Sequence, residues 1–374
     1  MEQRKQIVVT KKEGKYIFAY MIGEKIYDLI QTDDEDISVG NVYVGRVKNI
    51  VDNISAAFVE IKQGVMGFLP VKEACKKKIK SETDIVVQVK KPAKGSKDVV
   101  LTTDIELVGR YLVAYSGETS DDAGEVRISA KISDEQRKTE LRELALNHGM
   151  HDVMIRTNAC DADDGSIISE WNKLNDHRES IRTHKEHRTL YSCLYRMPPF
   201  YIRLINSYRT EEIDRIVTDI GDVYEVLTND LPEIKTELYD DESYPMDARF
   251  SISLSLERSE QRHVWLKSGA SLVIDKTEAM TVIDVNSSKA VDGKRVSETT
   301  FLKINLEAAQ EVARQLRLRN ISGIIMVDFI DMKKKESIDT LISALRKALS
   351  ADPVRASYID YTKLGIIEIT RARK

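Results

Sequence analysis

The chain has 374 residues, with 57 basic against 61 acidic side chains, a formal net charge of −4 and 42% hydrophobic content. That length holds two or three domains with cores of their own. No run is long and apolar enough to span a bilayer and MEQRKQ is not followed by a signal-peptide core, so a cytoplasmic protein is expected. The near-balanced charge excludes a globally basic footprint, and Cys75, Cys160 and Cys193, odd in number and far apart, form neither a disulfide framework nor a Cys-x-x-Cys zinc site.

Between about residues 38 and 103, the alternating runs VYVGRVKNI, SAAFVEI, VMGFLP and DIVVQVKK, separated by Gly, Asn and Asp turns, predict a small five-stranded barrel. Such barrels bind single strands by stacking bases on aromatic rings, which makes Phe58 and Phe68 candidates. Periodicity alone favours the core for both. From Lys76 to Lys97 there are eight lysines against two acids, Glu82 and Asp84, a pattern that by itself reads as a solvated loop face. Arg156 and Thr157 in MIRTNA join a planar guanidinium to a hydroxyl, a pair able to bind a terminal phosphate in a fork, but taken alone it reads as a strand end with a surface cation. His177, His184 and His187 lie in a charged helical stretch. His184 and His187 have ligand-like spacing, but their charged neighbours and the lack of a nearby cysteine favour a wet helix surface. The run Asp240, Asp241, Glu242 reads as a solvated loop.

Asp284 in MTVIDVNSS and Asp328 in IIMVDFIDM each interrupt an apolar, strand-like run. A carboxylate buried in a strand needs a partner, and a divalent metal is the natural one. One such residue would read as a strand-end aspartate bonded to a turn; two, framing a long Arg-rich helix, favour the metal. Alternation puts Val282, Asp284 and Asn286 on one strand face, so the carboxylate and the amide stand together. Met326, Asp328 and Ile330 share a face in the second run, and Asp331 meets Asp328 only if the strand ends between them, which gives it a supporting place. Between the runs, Leu302, Leu306, Ala309, Ala313 and Leu316 mark an apolar helix face that closes on Asn320 and Gly323. A strand, crossover helix and strand would bring both aspartates to neighbouring strand ends if the strands are adjacent and parallel.

The runs INLEAAQEVARQLRLRNISGIIMVDFIDM and VIDVNSS resemble the ribonuclease E/G family of bacterial endoribonucleases, as do GNVYVGRVKNIVDNISAAFVEI, MGFLP, VMIRTNA and KLGIIEITRAR. The likeness covers nearly the whole chain and is weakest from about 160 to 260. It implies an α/β (α+β) multidomain fold. A ribonuclease-H-like domain from residues 1–37 and 199–260 would be split by an OB-type RNA-binding barrel at 38–103 and a 5′-end sensor at 104–198. A DNase-I-like catalytic domain at 261–374 would follow. The implied activity is magnesium-dependent cleavage of single-stranded RNA to 5′-phosphate and 3′-hydroxyl ends, in rRNA processing and mRNA decay, with 5′-monophosphorylated substrates favoured.

By the same resemblance Asp284 and Asp328 are the catalytic magnesium ligands and Asn286 assists. Phe58, Phe68 and Lys97 contact RNA, and Gly109, Val113, Arg156, Thr157 and Arg355 bind the 5′-phosphate. Arg314, Arg317 and Arg319 on the crossover helix are candidate phosphate contacts or salt-bridged surface residues. Two departures stand out. Where the family has an arginine pair before an isoleucine, this chain has Ala130 and Lys131 in SAKI. It also lacks the CPxC-type zinc link, so no structural zinc is expected, and a homo-oligomer, a dimer being possible, would be held by direct protein surfaces. A non-catalytic RNA-binding relative, or a structural partner in an RNA degradation assembly, are the alternative readings.

Overall fold

The computed structural model describes residues 3–32, 38–73, 79–93, 98–116, 124–183, 189–287 and 297–372. Lys97, Cys75, His184 and His187, and with them much of the lysine-rich run, lie outside the described residues. The chain divides into two compact units, one made of residues 1–34 and 210–374, the other of residues 35–209. Among the described residues, no helix is long and apolar enough to cross a membrane.

The chain opens with an antiparallel meander, β1 (Lys5–Lys12), β2 (Lys15–Ile22) and β3 (Lys25–Thr32). Glu13 and Gly14, at φ 51° and 81°, make the two-residue β1–β2 turn, in which both positions need positive φ.

In the second unit β4 (Val42–Val51), β5 (Ala56–Lys62), β6 (Val65–Pro70), β7 (Asp84–Lys91) and β8 (Val99–Thr102) close into a five-stranded barrel in the order β4, β5, β6, β8, β7, with β7 pairing back to β4. Inward residues at alternate positions, Val47, Ala57, Val59, Ile61, Leu69, Val87 and Leu101 among them, fill it. Next come β9 (Glu106–Val108), β10 (Leu112–Tyr115), β11 (Val126–Ile128), α1 (Glu135–Asn147), β12 (Val153–Ile155) and α2 (Asp164–Thr183). Their strands form a sheet in the order β11, β12, β10, β9 over a core that includes Leu107, Leu112, Leu141 and Trp171. The α1 start is set by Asp134, whose carboxylate accepts from the backbone of Gln136 and Arg137. Then β13 (Cys193–Tyr195) pairs with the first part of β4. Helix α3 (Phe200–Ile205) also falls in this unit, although residues from 199 onward were expected with the split domain.

Back in the first unit, β14 (Arg215–Thr218), α4 (Gly221–Asp230) and β15 (Thr236–Leu238) extend the opening meander. The sheet order is β15, β14, β1, β2, β3, with β14 parallel to β1 and to β15. Helices α5 (Met246–Phe250) and α6 (Ile252–Glu260) follow, Met246, Phe250 and Ile252 packing on this sheet. The remaining elements are β16 (His263–Trp265), β17 (Ser271–Lys276), β18 (Met280–Asn286), α7 (Glu298–Leu318), β19 (Gly323–Asp328), α8 (Lys335–Ser350), β20 (Ala356–Tyr361) and β21 (Ile366–Arg371). They form a six-stranded sheet ordered β16, β17, β18, β19, β21, β20, in which only the β18–β19 pairing is parallel. Ile283, Val285, Ile325 and Val327 point from this pair into a core shared with α7 and α8.

Candidate functional site

The β18–α7–β19 crossover sets the register that matters most: Asp284 pairs with Asp328 in the parallel ladder. In-register residues of adjacent strands stand on one face, about 4.8 Å apart along the hydrogen-bonding direction. That face is opposite the one packed by α7 and α8, and it carries Met280 and Val282 on β18 and Ile324 on β19, all exposed. Asp284 is half-buried and Asp328 exposed, which corrects the expectation of carboxylates sunk in buried strands. Among the described residues only the face packed by α7 and α8 is covered, so the apolar runs reflect half-exposed strands.

The electrostatics remain unbalanced. Partial burial pushes the Asp328 carboxyl up, and the negative charges of Asp284 and Asp331 push it further. The strand ends at Asp328, which brings Asp331 within its field. Asn286 donates from Nδ2 to Asp284 Oδ2 at 2.6 Å, so the amide fixes the carboxylate. Among the described residues no group of three or more His, Cys, Asp or Glu is arranged to hold a metal ion. A pair of carboxylates suits magnesium, which keeps several waters and takes one or two carboxylates together with substrate phosphate oxygens.

The support beneath these strand ends was not read from the sequence. Asn305, fully buried on α7, donates from Nδ2 to the Ile330 carbonyl at 2.8 Å and accepts at Oδ1 from the Ile330 amide at 3.1 Å. This two-way bond holds the backbone just past Asp328. A buried asparagine with both functions used is legible only once its neighbour is known.

The arginines of α7 divide. Arg317 is buried and its Nε and Nη2 both donate to Asp28 on β3, the Nε bond being 3.0 Å; its Nη1 donates to the Ala351 carbonyl at 3.0 Å. Arg314 chelates Glu311 and donates from Nη1 to the Ile26 carbonyl at 2.7 Å. Both therefore tie α7 to β3, a structural task, and the expectation of phosphate contacts is corrected for them. The helix is buried on more than one side: Ile304, Ala308 and Val312 are buried, whereas the predicted Leu302 and Leu306 are only half-buried. Arg319 donates from Nε to Gln315 at 2.6 Å and leaves Nη2 without a partner among the described residues.

On the barrel, Phe58 and Phe68 are register partners on β5 and β6, their rings 5.8 Å apart and edge to face. Both are half-buried, and it is their neighbours Ala57, Val59 and Leu69 that enter the core. The pair therefore lies on the outer face, where periodicity alone had placed neither ring.

Of Gly109, Val113, Arg156 and Thr157, Gly109 and Arg156 are in direct contact, while Val113 and the Thr157 hydroxyl have other neighbours. Arg156 donates from Nη1 to the Gly109 carbonyl, and the Thr157 hydroxyl is 2.9 Å from that of Ser129. Val113 is buried in β10 opposite Met154. Glu170, on α2, supplies what the sequence did not show: its carboxylate accepts from the amides of Arg110, Tyr111 and Leu112 at 2.5, 2.7 and 2.8 Å. A Cβ at Gly109 would come within 2.4 Å of this carboxyl carbon, so glycine is required there by space. Burial pushes Glu170 up, opposed by the three amides and by Arg156; burial likewise pushes Arg156 down. Ala130 and Lys131 are exposed. Arg355 belongs to the other unit and is exposed just before β20, its carbonyl accepting from the Ala372 amide at 2.9 Å.

The profile of the ribonuclease E/G family matches residues 106–374. The chain is 31% identical to ribonuclease E of Escherichia coli strain K12 over 398 aligned positions, which cover 99% of this chain and 37% of that protein. It is 32% identical to ribonuclease G of the same strain over 405 positions, 98% and 80% respectively. Ribonuclease E of Haemophilus influenzae is 30% identical, with 99% of this chain and 42% of that protein covered. The chain thus spans less than half the length of these ribonuclease E relatives and four fifths of ribonuclease G.

Proposed function

The chain belongs to the ribonuclease E/G family, and from this we propose that it is an endoribonuclease that cuts single-stranded RNA at Asp284 and Asp328, the two carboxylates that would hold magnesium. The observation that carries this reading is the register pairing of the two aspartates at the carboxyl ends of adjacent parallel strands, where open α/β sheets bind their ligands. When bound, magnesium would supply activation of an attacking water and compensation of the charge developing on the scissile phosphate. Asp284 and Asp328 would hold that ion, and Asn286, by pinning Asp284, would orient it while offering its own carbonyl oxygen to the attacking water. In-line attack would leave a 5′-phosphate and a 3′-hydroxyl. Phe58 and Phe68 would stack successive bases, and Lys97 would neutralise a backbone phosphate. Arg156 and Thr157 would receive a terminal 5′-monophosphate, with a rigid loop at Gly109 held by Glu170.

The test is cleavage of matched single-stranded RNAs carrying a 5′-monophosphate or triphosphate, with magnesium, with chelator, and after magnesium is restored. Chelation should stop cleavage and magnesium should recover it. Cleavage that survives chelation would overturn the metal reading; equal rates on the two RNAs would overturn the sensor reading and leave the first intact.

A further inference from the structure

The outer face of the barrel continues beyond Phe58 to a third aromatic ring, contributed from outside the five barrel strands. Phe58 and Glu60 are two residues apart on β5 and share the outward face, because Val59 and Ile61 turn into the core. Glu60 Oε2 accepts the hydroxyl of Tyr191, which lies just before β13. The same carboxylate accepts from the Gly64 amide at 3.0 Å and pairs with Lys48 Nζ at 3.4 Å. With three donors engaged it is an anchor for the tyrosine, not a reader of bases.

The backbone of Tyr191 is equally fixed. Its amide donates to the Val44 carbonyl at 2.9 Å, and its φ of 69° lies in the left-handed region that a bulky side chain seldom adopts. The residue is half-buried and is not part of the barrel core. Two cations flank it: Lys48, the bulged residue between Val47 and Asn49, and Arg46, which is paired to Asp84 at 2.8 Å and 3.3 Å. Rings and cations that alternate along one groove are the pattern by which single strands are held without sequence preference.

We propose that Tyr191 is a third base-stacking platform, continuing the track of Phe68 and Phe58 across the barrel face, with Lys48 contacting the phosphate between the second and third bases. This rests on the reading that Phe58 and Phe68 grip single-stranded RNA. The track is then longer than the barrel strands alone provide, and its last ring is held at both ends, by the backbone and by its hydroxyl.

The experiment uses the full chain in chelator, so that no RNA is cut, and measures anisotropy with a single strand of about ten nucleotides, within the site sizes of such barrels. Tyr191→Leu should weaken binding about tenfold, as loss of one stacked base does, while Tyr191→Phe keeps the ring and stays near wild type. Lys48→Ala should lower the salt slope by about 0.7. Tyr191→Trp, compared with wild type, should show indole fluorescence quenched on adding the strand. That signal would not arise from a purely structural tyrosine, and it decides the matter if Tyr191→Leu melts early. An unquenched indole, or unchanged affinity in a stably folded Tyr191→Leu, overturns the proposal. Should Phe58→Ala also leave affinity unchanged, the barrel reading itself falls; loss at Phe58 with none at Tyr191 sinks only the third platform.

Discussion

The two polar constellations of this chain are built on opposite electrostatic plans. At the end of β18 and β19, Asp284 and Asp328 stand side by side with Asp331 in range, and among the described residues the direct help comes from the Asn286 amide. In the loop between β9 and β10, the carboxylate of the half-buried Glu170 is met by three backbone amides and faces Arg156. The first site carries surplus negative charge that something from outside must balance, and the second is balanced from within. Charge left open on a sheet face suits an ion and a phosphate that come and go; a carboxylate saturated by backbone amides suits a loop that must keep its shape.

Substituting the first site should therefore remove activity and relax the fold at once. Asp284→Asn or Asp328→Asn should lower cleavage on the order of 10²- to 10³-fold or more, the scale at which lost transition-state charge stabilisation is felt, with single-strand affinity in chelator unchanged. In metal-free buffer Asp328→Asn should also raise Tm slightly, because it relieves repulsion from Asp284 and Asp331. Calorimetry and a cleavage assay on one preparation check both. A variant that is inactive and less stable would mean that the carboxylate has a structural partner.

A buried, internally balanced charge behaves in the reverse way, and the Arg317 to Asp28 pair shows it most strongly. Removing one member strands the other in the core, at a cost of about 3–5 kcal/mol. Asp28→Ala should therefore melt far below wild type, whereas Arg317→Met combined with Asp28→Leu should recover much of the loss. If Arg317 touched RNA instead, the double variant would fold but lose affinity for single strands.

These contrasts also mark what the sequence could reveal. Asp284, Asn286 and Asp328 were legible because polar residues at alternate positions in apolar runs define a face, and the run between them has helical spacing. What could not be read was which side of each strand lies open, since that depends on α7 and α8 covering only one face. Arg317 misled because an arginine in the last turn of an amphipathic helix looks exposed unless a second sheet packs there. Phe58 and Phe68 looked like core because alternation gives parity and not direction. Glu170 and Asn305 gave no signal at all: each is an ordinary residue in a helix whose partners are backbone groups distant in sequence.

The tight fit at the second site can be tested by adding one methyl group. In Gly109→Ala the new Cβ would overlap the Glu170 carboxyl, and overpacking of this kind costs about 1–3 kcal/mol. The loop should shift, drawing the Gly109 carbonyl away from Arg156, so any preference for a 5′-monophosphate should fall along with Tm while magnesium-dependent cleavage persists. Adding Glu170→Asp, which withdraws the carboxylate by one methylene, should restore part of both. A fully stable Gly109→Ala would show that the loop is not held as tightly as its hydrogen bonds imply.

The smallest effect is the most discriminating, because burial and hydrogen bonding pull Glu170 in opposite directions. Three amides favour its ionised form, and burial, the larger influence, favours the neutral acid and raises its pKa above the usual glutamate value. The folded chain then holds this proton more firmly than the unfolded chain. Its contribution to stability is thus complete below the ordinary glutamate pKa and is lost as pH rises through the raised one. Glu170→Gln has no proton to lose, so the Tm advantage of wild type over this variant should be greatest in mild acid and shrink toward neutrality. Every other carboxylate is common to both proteins and cancels in the difference. A gap that widens as pH rises would mean that the three amides outweigh burial. The loop would then be held by an anion already bound in its own backbone amides, and the internal balance that sets this site apart from the aspartate pair would be electrostatic in full.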